Sequence, residues 1–487
     1  MAPLAGVSTF LLLASFFARV SAIPSSLHTY RTKLLDARST STNVGIVTSK
    51  AVYTTTILVG GVNFTVIVDT GSSDIWVDTS GQQLAVTATP NIPVEIPFAM
   101  GRVTGNMQSA NVQLGDLVIQ GQAFVNATEV QGIPPNAQGV LGLGFNSLSP
   151  IWSAVEKKDG ADVANQIGNT AVTSLFSQRP DIPSSFDLQL SRPKALDDVV
   201  PGTFLIGEHD ENFQQVANAP QLPLVNNQHW SVAMDGMNVN GHPFAFNASR
   251  VTGVPSGKLV ATLDTGFTLP PIPPAAVDAI YSTIPGAART TQDNQTLWFV
   301  PCTASANVSF VFAGQEFFVH PLDLTVLGTL SVSNADGSKT NATACINAFQ
   351  YLTLDPTEFN GFDLVLGEAF LRNVYASFNF GNAQTGAGPF VQMVSTTPDA
   401  SAAQGEFQTQ RAAALANMPP PVDPSTLAKS AQLSTFELQT TVASSAGNSQ
   451  SSQPGASGKS SNGGPRARYL LPEIVCIATL CSVLVGM

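Results

Sequence analysis

The sequence predicts a mainly β protein with two related halves, and two observations support this. From Ala51 to Val394, runs rich in Val, Phe, Thr and Leu are broken by Gly and Pro, which is typical of antiparallel strands and turns. The triplet Asp-Thr-Gly begins at Asp69 and again at Asp264, each time after an apolar run typical of a buried strand. One helix is predicted over Pro274 to Tyr281, where proline near the first turn favours helix initiation.

Length and charge narrow the class of protein. The 487 residues are enough for two substantial domains and additional segments. Charged residues make up 11% of the chain, and 33 acidic against 21 basic residues give a net charge of −12. This balance lacks the basic surface that nucleic-acid binding requires, so no nucleic-acid partner is expected. The low Lys and Arg content also limits charge repulsion in acid.

The paired triplets predict a catalytic site. A buried ionised Asp is costly unless it is hydrogen-bonded or shares a proton with a partner, and the second triplet supplies that partner. Two carboxyl groups about 3 Å apart cannot both ionise, so one holds a proton as general acid while the other takes a proton from a water between them. Because that water can attack an amide carbonyl, Asp69 and Asp264 are predicted to hydrolyse peptides without a metal or cofactor.

The remaining triplet residues are predicted to support the pair. Thr70 and Thr265 can hydrogen-bond across to the other strand, and Gly71 and Gly266 allow a backbone N–H to approach a carboxylate without a clashing Cβ. A single Asp-Thr-Gly is most often a surface turn. Two copies with matched apolar flanks favour a catalytic pair instead.

Further motifs extend the pattern over most of the chain. They are Tyr53 to Gly61, Asp69 to Val77, Gly139 to Gly144, Gln228 to Val232, Asp235 to Gly241, Leu364 to Gly367 and Glu368 to Tyr375. On these motifs the chain, from about Tyr53 to about Val394, resembles the pepsin-like aspartic protease family of peptidase A1 type. The resemblance implies a bilobal fold of two related β-rich lobes with the active-site cleft between them. It also implies a monomeric endopeptidase that acts at acidic pH on peptide or protein substrates.

The resemblance also assigns a lid and shows two departures from the family pattern. It implies that Ser72 supports the dyad and that a hairpin with Phe98, Ala99, Met100 and Gly101 closes over the cleft near Trp76. The family usually has Tyr where Phe98 stands, so the hydroxyl that would bond the Trp76 indole is missing, although the apolar contact of the ring can remain.

The second departure is Phe267, which stands where the family has Ser or Thr. A hydroxyl there would favour ionised Asp264, so Asp264 is predicted to ionise less readily than in a typical member. These departures leave a rival hypothesis, a catalytically impaired binding or inhibitor protein at the cell surface. Both triplets are intact, which favours the active protease. An inert wall or adhesion protein has only the composition of the C-terminal tail in its favour.

The sequence divides into six predicted segments. They are a signal peptide (1–22), a propeptide or disordered N-terminal arm (23–46), an N-terminal lobe (47–225), a C-terminal lobe (226–395), an extended Ser/Ala/Gln-rich stalk (396–464) and a GPI-attachment signal (465–487). The last segment is short for a membrane span, which needs about 20 apolar residues. A single-pass anchor and direct secretion remain as alternatives. This layout indicates the secretory pathway, the cell surface and a fungal member.

Cysteines and sequons agree with secretion. The resemblance implies a disulfide between Cys302 and Cys345, which an oxidising compartment would let form. A metal site is not expected, because the cysteines lack further ligands and the five His residues show no paired ligand spacing. Six sequons are candidates for glycosylation: Asn63, Asn126, Asn247, Asn294, Asn307 and Asn341.

Overall fold

Strands form the larger part of the fold. The computed structural model describes residues 43–49, 52–98, 101–132, 137–193, 199–226, 228–292, 295–352, 361–382 and 385–438, which all lie in one compact unit. Of the described residues, 43% lie in strands and 20% in helices. The predicted mainly β class is therefore confirmed, and the arrangement is consistent with a bilobal pepsin-like fold.

The elements of the described residues are as follows. The strands are β1 (Ile46–Ser49), β2 (Val52–Val59), β3 (Val62–Asp69), β4 (Ile75–Val77), β5 (Val86–Ala88), β6 (Pro93–Phe98), β7 (Gly101–Leu114), β8 (Leu117–Gln131), β9 (Gly139–Gly142), β10 (Ser185–Gln189), β11 (Val200–Ile206), β12 (Leu222–Pro223), β13 (Ser231–Met234), β14 (Gly236–Val239), β15 (His242–Phe244), β16 (Leu259–Leu263), β17 (Pro271–Ile272), β18 (Ala288–Gln292), β19 (Gln295–Val300), β20 (Val308–Phe312), β21 (Gln315–Val319), β22 (Thr325–Ser333), β23 (Lys339–Asn347), β24 (Gln350–Tyr351), β25 (Leu364–Leu366), β26 (Val374–Asn379), β27 (Phe390–Ser395) and β28 (Glu437–Leu438). The α-helices are α1 (Pro150–Asp159), α2 (Ala161–Ile167), α3 (Ala171–Gln178), α4 (Pro274–Tyr281), α5 (Glu368–Leu371), α6 (Ala400–Leu415) and α7 (Pro424–Ser430). Helix α4 has the bounds predicted from the sequence.

One large sheet joins the two halves of the chain. Its main path runs β12-β27-β26-β10-β11-β1-β2-β3-β9-β4-β8-β7-β5, with β6 paired to β7. The late strands β26 and β27 thus lie beside β10 and β12 from the first half. The predicted division between residues 225 and 226 therefore separates segments that share a sheet.

The two triplets occupy equivalent positions in the halves. In the first half, β3 lies parallel to β9; in the second, β16 lies parallel to β25. Strands β9, β16 and β25 are buried along their whole length and β3 over its last four residues, as apolar runs in parallel pairs usually are. Two glycines allow the close approach of β9 and β25 to the catalytic loops. A Cβ on Gly142 would lie 2.4 Å from the Ser73 backbone, and one on Gly367 would lie 2.1 Å from the Phe267 carbonyl oxygen.

The second half carries a separate five-stranded sheet of order β18-β19-β23-β22-β28. The predicted disulfide between Cys302 and Cys345 is present and links the loop after β19 to β23. Most of the apolar core is one continuous cluster that includes residues of both halves, such as Val68, Trp230 and Phe378.

The stalk prediction is wrong for residues 396–438. This part contains α6, α7 and β28, and it packs against the second half. Composition suggested an extended segment because large apolar residues are few. The buried residues nevertheless follow a helical spacing, since Ala403, Phe407 and Arg411 lie four residues apart on one face of α6. Asp399 also caps α6 by accepting bonds from the N–H groups of Ser401 and Ala402.

The other terminal predictions lie outside the described residues. These are the signal peptide, nearly all of the N-terminal arm, the remaining stalk from residue 439 and the GPI-attachment signal. Within the residues that are described, no helix has both the length and the apolarity needed to span a membrane.

Candidate active site

The structure brings Asp69 and Asp264 together. Asp69 is the last residue of β3 and Asp264 directly follows β16, and each side chain is about nine-tenths buried. The two carboxyl groups are hydrogen-bonded to each other. Each Oδ1 also accepts a 2.8 Å bond from the N–H two residues later, on Gly71 and Gly266 respectively. The two loops thus place their carboxyl groups next to each other, each held by the same kind of backbone hydrogen bond.

The threonines fix the two loops to each other. The Thr70 N–H donates to the Thr265 hydroxyl, and the Thr265 N–H donates to the Thr70 hydroxyl, both at 3.0 Å. The Thr70 hydroxyl donates in turn to the carbonyl oxygen of Leu263 at 2.9 Å, and the Thr265 hydroxyl donates to that of Val68 at 2.7 Å. Because all four bonds are buried and cross between the halves, they hold the carboxyls in a fixed geometry.

Gly71 and Gly266 are required by the close approach of the loops. A Cβ on Gly71 would lie 2.1 Å from Asp264 Oδ2, and one on Gly266 would lie 2.6 Å from Asp69 Oδ1. Any larger side chain would displace the carboxyl of the opposite loop.

The two carboxyls differ in their second hydrogen bond. The Ser72 hydroxyl donates to Asp69 Oδ2 at 2.6 Å. Phe267 occupies the equivalent position beside Asp264 and has no hydroxyl to donate. Burial, followed by the negative charge of Asp69, raises the pKa of Asp264 well above its ordinary value. Asp264 therefore holds a proton more readily than an ordinary aspartate.

The segment predicted to be the lid forms the hairpin β6–β7, with Phe98 paired to Gly101 at its end. Ala99 and Met100, at the tip, lie outside the described residues. The Phe98 and Trp76 rings are 6.5 Å apart between centroids, with planes inclined at 60°. Among the described residues, none accepts a hydrogen bond from the buried Trp76 Nε1. Phe98, unlike a tyrosine, has no hydroxyl to accept from this donor.

Two buried carboxyls near the catalytic loops carry unusual proton affinities that the sequence analysis missed. Glu368 hydrogen-bonds to Thr268 and lies 3.3 Å from the Arg372 guanidinium, yet burial raises its pKa to about 8. Asp74 accepts bonds from the Ser149 hydroxyl at 2.5 Å and the Ile151 N–H at 2.9 Å, and burial raises its pKa to about 6. In the sequence, the only indication of these buried carboxyls was that each stands within an otherwise apolar motif.

His229 is a third residue whose role the sequence did not indicate. Its imidazole hydrogen-bonds to the backbone of Gly71 and packs edge-on against the Phe362 ring, with 5.7 Å between centroids. Burial lowers its pKa to about 4. In the sequence, the histidines show only the absence of a paired metal-ligand spacing, which carries no information about this contact.

The sequons differ in accessibility. Asn63, Asn247, Asn307 and Asn341 are exposed, and Asn294 lies outside the described residues. Asn126 is half-buried, its amide directed at Gln108 Oε1 and its carbonyl accepting from the Thr79 hydroxyl.

Comparison with known proteins identifies the family. The family model for eukaryotic aspartyl proteases matches residues 52–390, which include both triplets. The chain is 27% identical to an aspartic protease of Phaffia rhodozyma over 357 residues, which cover 69% of this chain and 76% of the relative. It is 25% identical to cathepsin E of Rattus norvegicus (68% and 77% covered) and 25% identical to a probable vacuolar protease A of Trichophyton verrucosum (66% and 74% covered). The chain belongs to the eukaryotic aspartyl protease family and is an aspartic-type endopeptidase.

Proposed function

We propose that Asp69 and Asp264 form the catalytic dyad and hydrolyse peptide bonds at acidic pH. The observation that carries this proposal is the direct hydrogen bond between the two carboxyls, each held by a glycine N–H and by the crossed threonines. Protonated Asp264 acts as general acid. Asp69, stabilised as a carboxylate by the Ser72 hydroxyl, takes a proton from the water between them.

The substrate is an extended segment of peptide or protein. The water attacks the scissile carbonyl carbon, its proton passes to Asp69, and the Asp264 proton passes to the carbonyl oxygen, giving a neutral tetrahedral intermediate. The proton on Asp69 then moves to the leaving nitrogen as the C–N bond breaks, and Asp264 takes a hydroxyl proton from the intermediate. The products are a carboxylic acid and an amine, and the dyad returns to its starting protonation state. The β6–β7 hairpin covers the substrate, with the Phe98 ring supplying apolar contact beside Trp76.

The rival proposal, a catalytically impaired binding protein, rests on the two departures at Phe98 and Phe267. Neither departure removes a hydrogen bond to Asp69, and the raised pKa of Asp264 is compatible with the acid role. The active protease is therefore the better-supported function.

The test is peptide cleavage at acid pH by the wild-type chain, with Asp69→Asn and Asp264→Asn as variants and a statine-type inhibitor as control. Each Asn removes the proton exchange that activates water, so turnover should fall by at least about a thousandfold, while the unfolding transition remains cooperative. Near-normal turnover in either folded variant would refute the dyad. Inhibitor binding without cleavage by the wild type would favour the binding protein.

We further propose that the enzyme is a monomeric, fungal, secreted protein held at the cell surface by a GPI anchor. The disulfide, the exposed sequons and the apolar C-terminal run after small residues support this location. The mature enzyme would then lack the signal peptide (1–22), the propeptide and the GPI-attachment signal (465–487).

A further inference from the structure

Residues 396–438, here called the C-terminal clamp, lie beyond the region shared with the family, which ends at residue 390. The clamp contains α6, α7 and β28. Its two parts contact different surfaces of the second half, and each contact is independent evidence for docking.

The first part of the clamp inserts into a buried cluster of charges. The Thr397 hydroxyl donates to Asn373 Oδ1 at 2.8 Å, and Asn373 in turn donates to Asp323 at 3.0 Å. Asp323 also binds two arginines, Arg192 and Arg372, at 2.6 and 2.8 Å. Contacts with the clamp therefore reach a carboxylate that joins segments far apart in the sequence.

Helix α6 places a cation in the same region. Arg411 is 3% exposed and donates to the Thr325 hydroxyl at 3.0 Å, and its guanidinium lies 5.5 Å from the centre of the Phe407 ring. Burying a guanidinium is costly. A hydroxyl, an aromatic face and the charge of Asp323 offset part of this cost, but burial still lowers the pKa of Arg411 to about 10. A segment that only touched the surface would keep this charge in water.

The second part of the clamp covers one face of the five-stranded sheet. Leu427, Ala431, Leu433 and Phe436 form a buried cluster with sheet residues such as Phe299 and Leu330. Among the described residues, every buried member of this cluster belongs to the sheet or to the clamp. The clamp is thus the cover of this apolar face.

Gly328 of the five-stranded sheet leaves space that the clamp occupies. Gly328 of β22 pairs with Leu438 of β28, and a Cβ on Gly328 would lie 2.3 Å from the Glu437 carbonyl oxygen and 2.6 Å from the Phe436 ring. The absence of a side chain at Gly328 allows β28 to pair at this edge.

We propose that the C-terminal clamp is an intramolecular partner that completes the second half, so that the folded enzyme extends to Leu438 and any membrane tether begins beyond it. The position of the tether rests on the anchoring proposed above, whereas the clamp itself does not. A cut between α6 and β28 would then separate a structural part of the enzyme, not a spacer.

The test uses thermal unfolding of the full chain. Phe407→Ala removes a fully buried ring, so the midpoint should fall by about 5 °C. The matched control is Thr409→Ala on the exposed face of α6, which should change the midpoint by less than about 2 °C. Equal midpoints for the two variants would overturn the proposal.

A double-mutant cycle tests docking at β22. Gly328→Ala should lower the midpoint, while Gly236→Ala, a strand glycine whose added Cβ meets nothing within 4 Å, should not. In the combined Gly328→Ala and Phe436→Ala chain the loss should be smaller than the sum, because the added methyl occupies space that the ring vacates. Additive losses would overturn docking at this edge. Unfolding does not depend on peptide cleavage, so failure of the clamp and failure of the dyad are distinguishable.

Discussion

Asp74 is predicted to make the stability of the enzyme depend on pH, and its environment gives the sign. Burial raises its pKa from 3.8 to about 6 in the folded protein. A carboxyl with a raised pKa binds its proton more tightly in the folded state than in the unfolded state. Its stabilising contribution is therefore complete below about pH 4 and is lost as the pH rises through about 6.

The magnitude follows from the same two values. The difference between 3.8 and about 6 corresponds to about 3 kcal/mol of unfolding free energy. Asp74→Asn removes the titration and preserves the contacts, since the Asn Oδ1 can accept from the Ile151 N–H while its amide donates to the Ser149 hydroxyl. Between about pH 3 and pH 7, the variant should lose about 3 kcal/mol less stability than the wild type.

The assay is urea unfolding at several pH values across this range, followed by tryptophan fluorescence. Both chains carry Asp69→Asn to prevent self-cleavage. The matched control is Asp336→Asn, an exposed carboxyl whose pKa is lowered by hydrogen bonds from Ser338. Equal pH slopes for Asp74→Asn and its parent would refute the reasoning, as would a flattened slope in the Asp336→Asn control.

Three further predictions concern the lid, the dyad and the anchor. Phe267→Thr should place a hydroxyl that donates to Asp264, and it should shift the alkaline limb of the pH–rate profile, on which the general acid loses its proton, about one unit lower; an alkaline limb that stays or rises contradicts this assignment. Phe98→Tyr should give the Trp76 indole an acceptor and lower the KM for peptides roughly fivefold, whereas Phe98→Leu should not; equal KM values in all three chains would count against the bond. Phosphatidylinositol-specific phospholipase C should release active enzyme from intact cells, and mass spectrometry that finds the anchored chain ending at Met487 would exclude GPI attachment.

The catalytic centre could be predicted from sequence because its determinants are local. Asp69 and Asp264 lie within matching triplets, and the roles of Thr70 and Thr265 follow from the chemistry of a hydroxyl beside a buried carboxylate. The structure has the crossed bonds expected of them. The assignment of these residues to catalysis stays a prediction until the Asn variants are measured.

The C-terminal clamp was missed because composition was averaged over the whole tail. Residues 396–464 are poor in large apolar side chains, but stability depends on where the few lie. Phe407 and Arg411 are one helical turn apart, and Leu433 and Phe436 lie against a sheet face more than 80 residues earlier in the chain. A sequence does not show that a sheet face needs a cover, nor that Gly328 leaves space for a neighbouring strand.

The buried carboxyls show why proton affinity also could not be read from sequence. Asp74 depends on Ser149 for its surroundings and Glu368 on Thr268, which are remote in the chain. Together with Asp264 they give three raised pKa values on or beside the catalytic loops. Burial raises the pKa of Glu368 from an ordinary 4.5 to about 8, so Glu368 loses its proton at a higher pH than Asp74 does. Its ionisation therefore extends the loss of stability to higher pH. The burial that raises the pKa of Asp264 thus accompanies a fold that weakens as Asp74 and Glu368 ionise, in agreement with the acidic working pH proposed above.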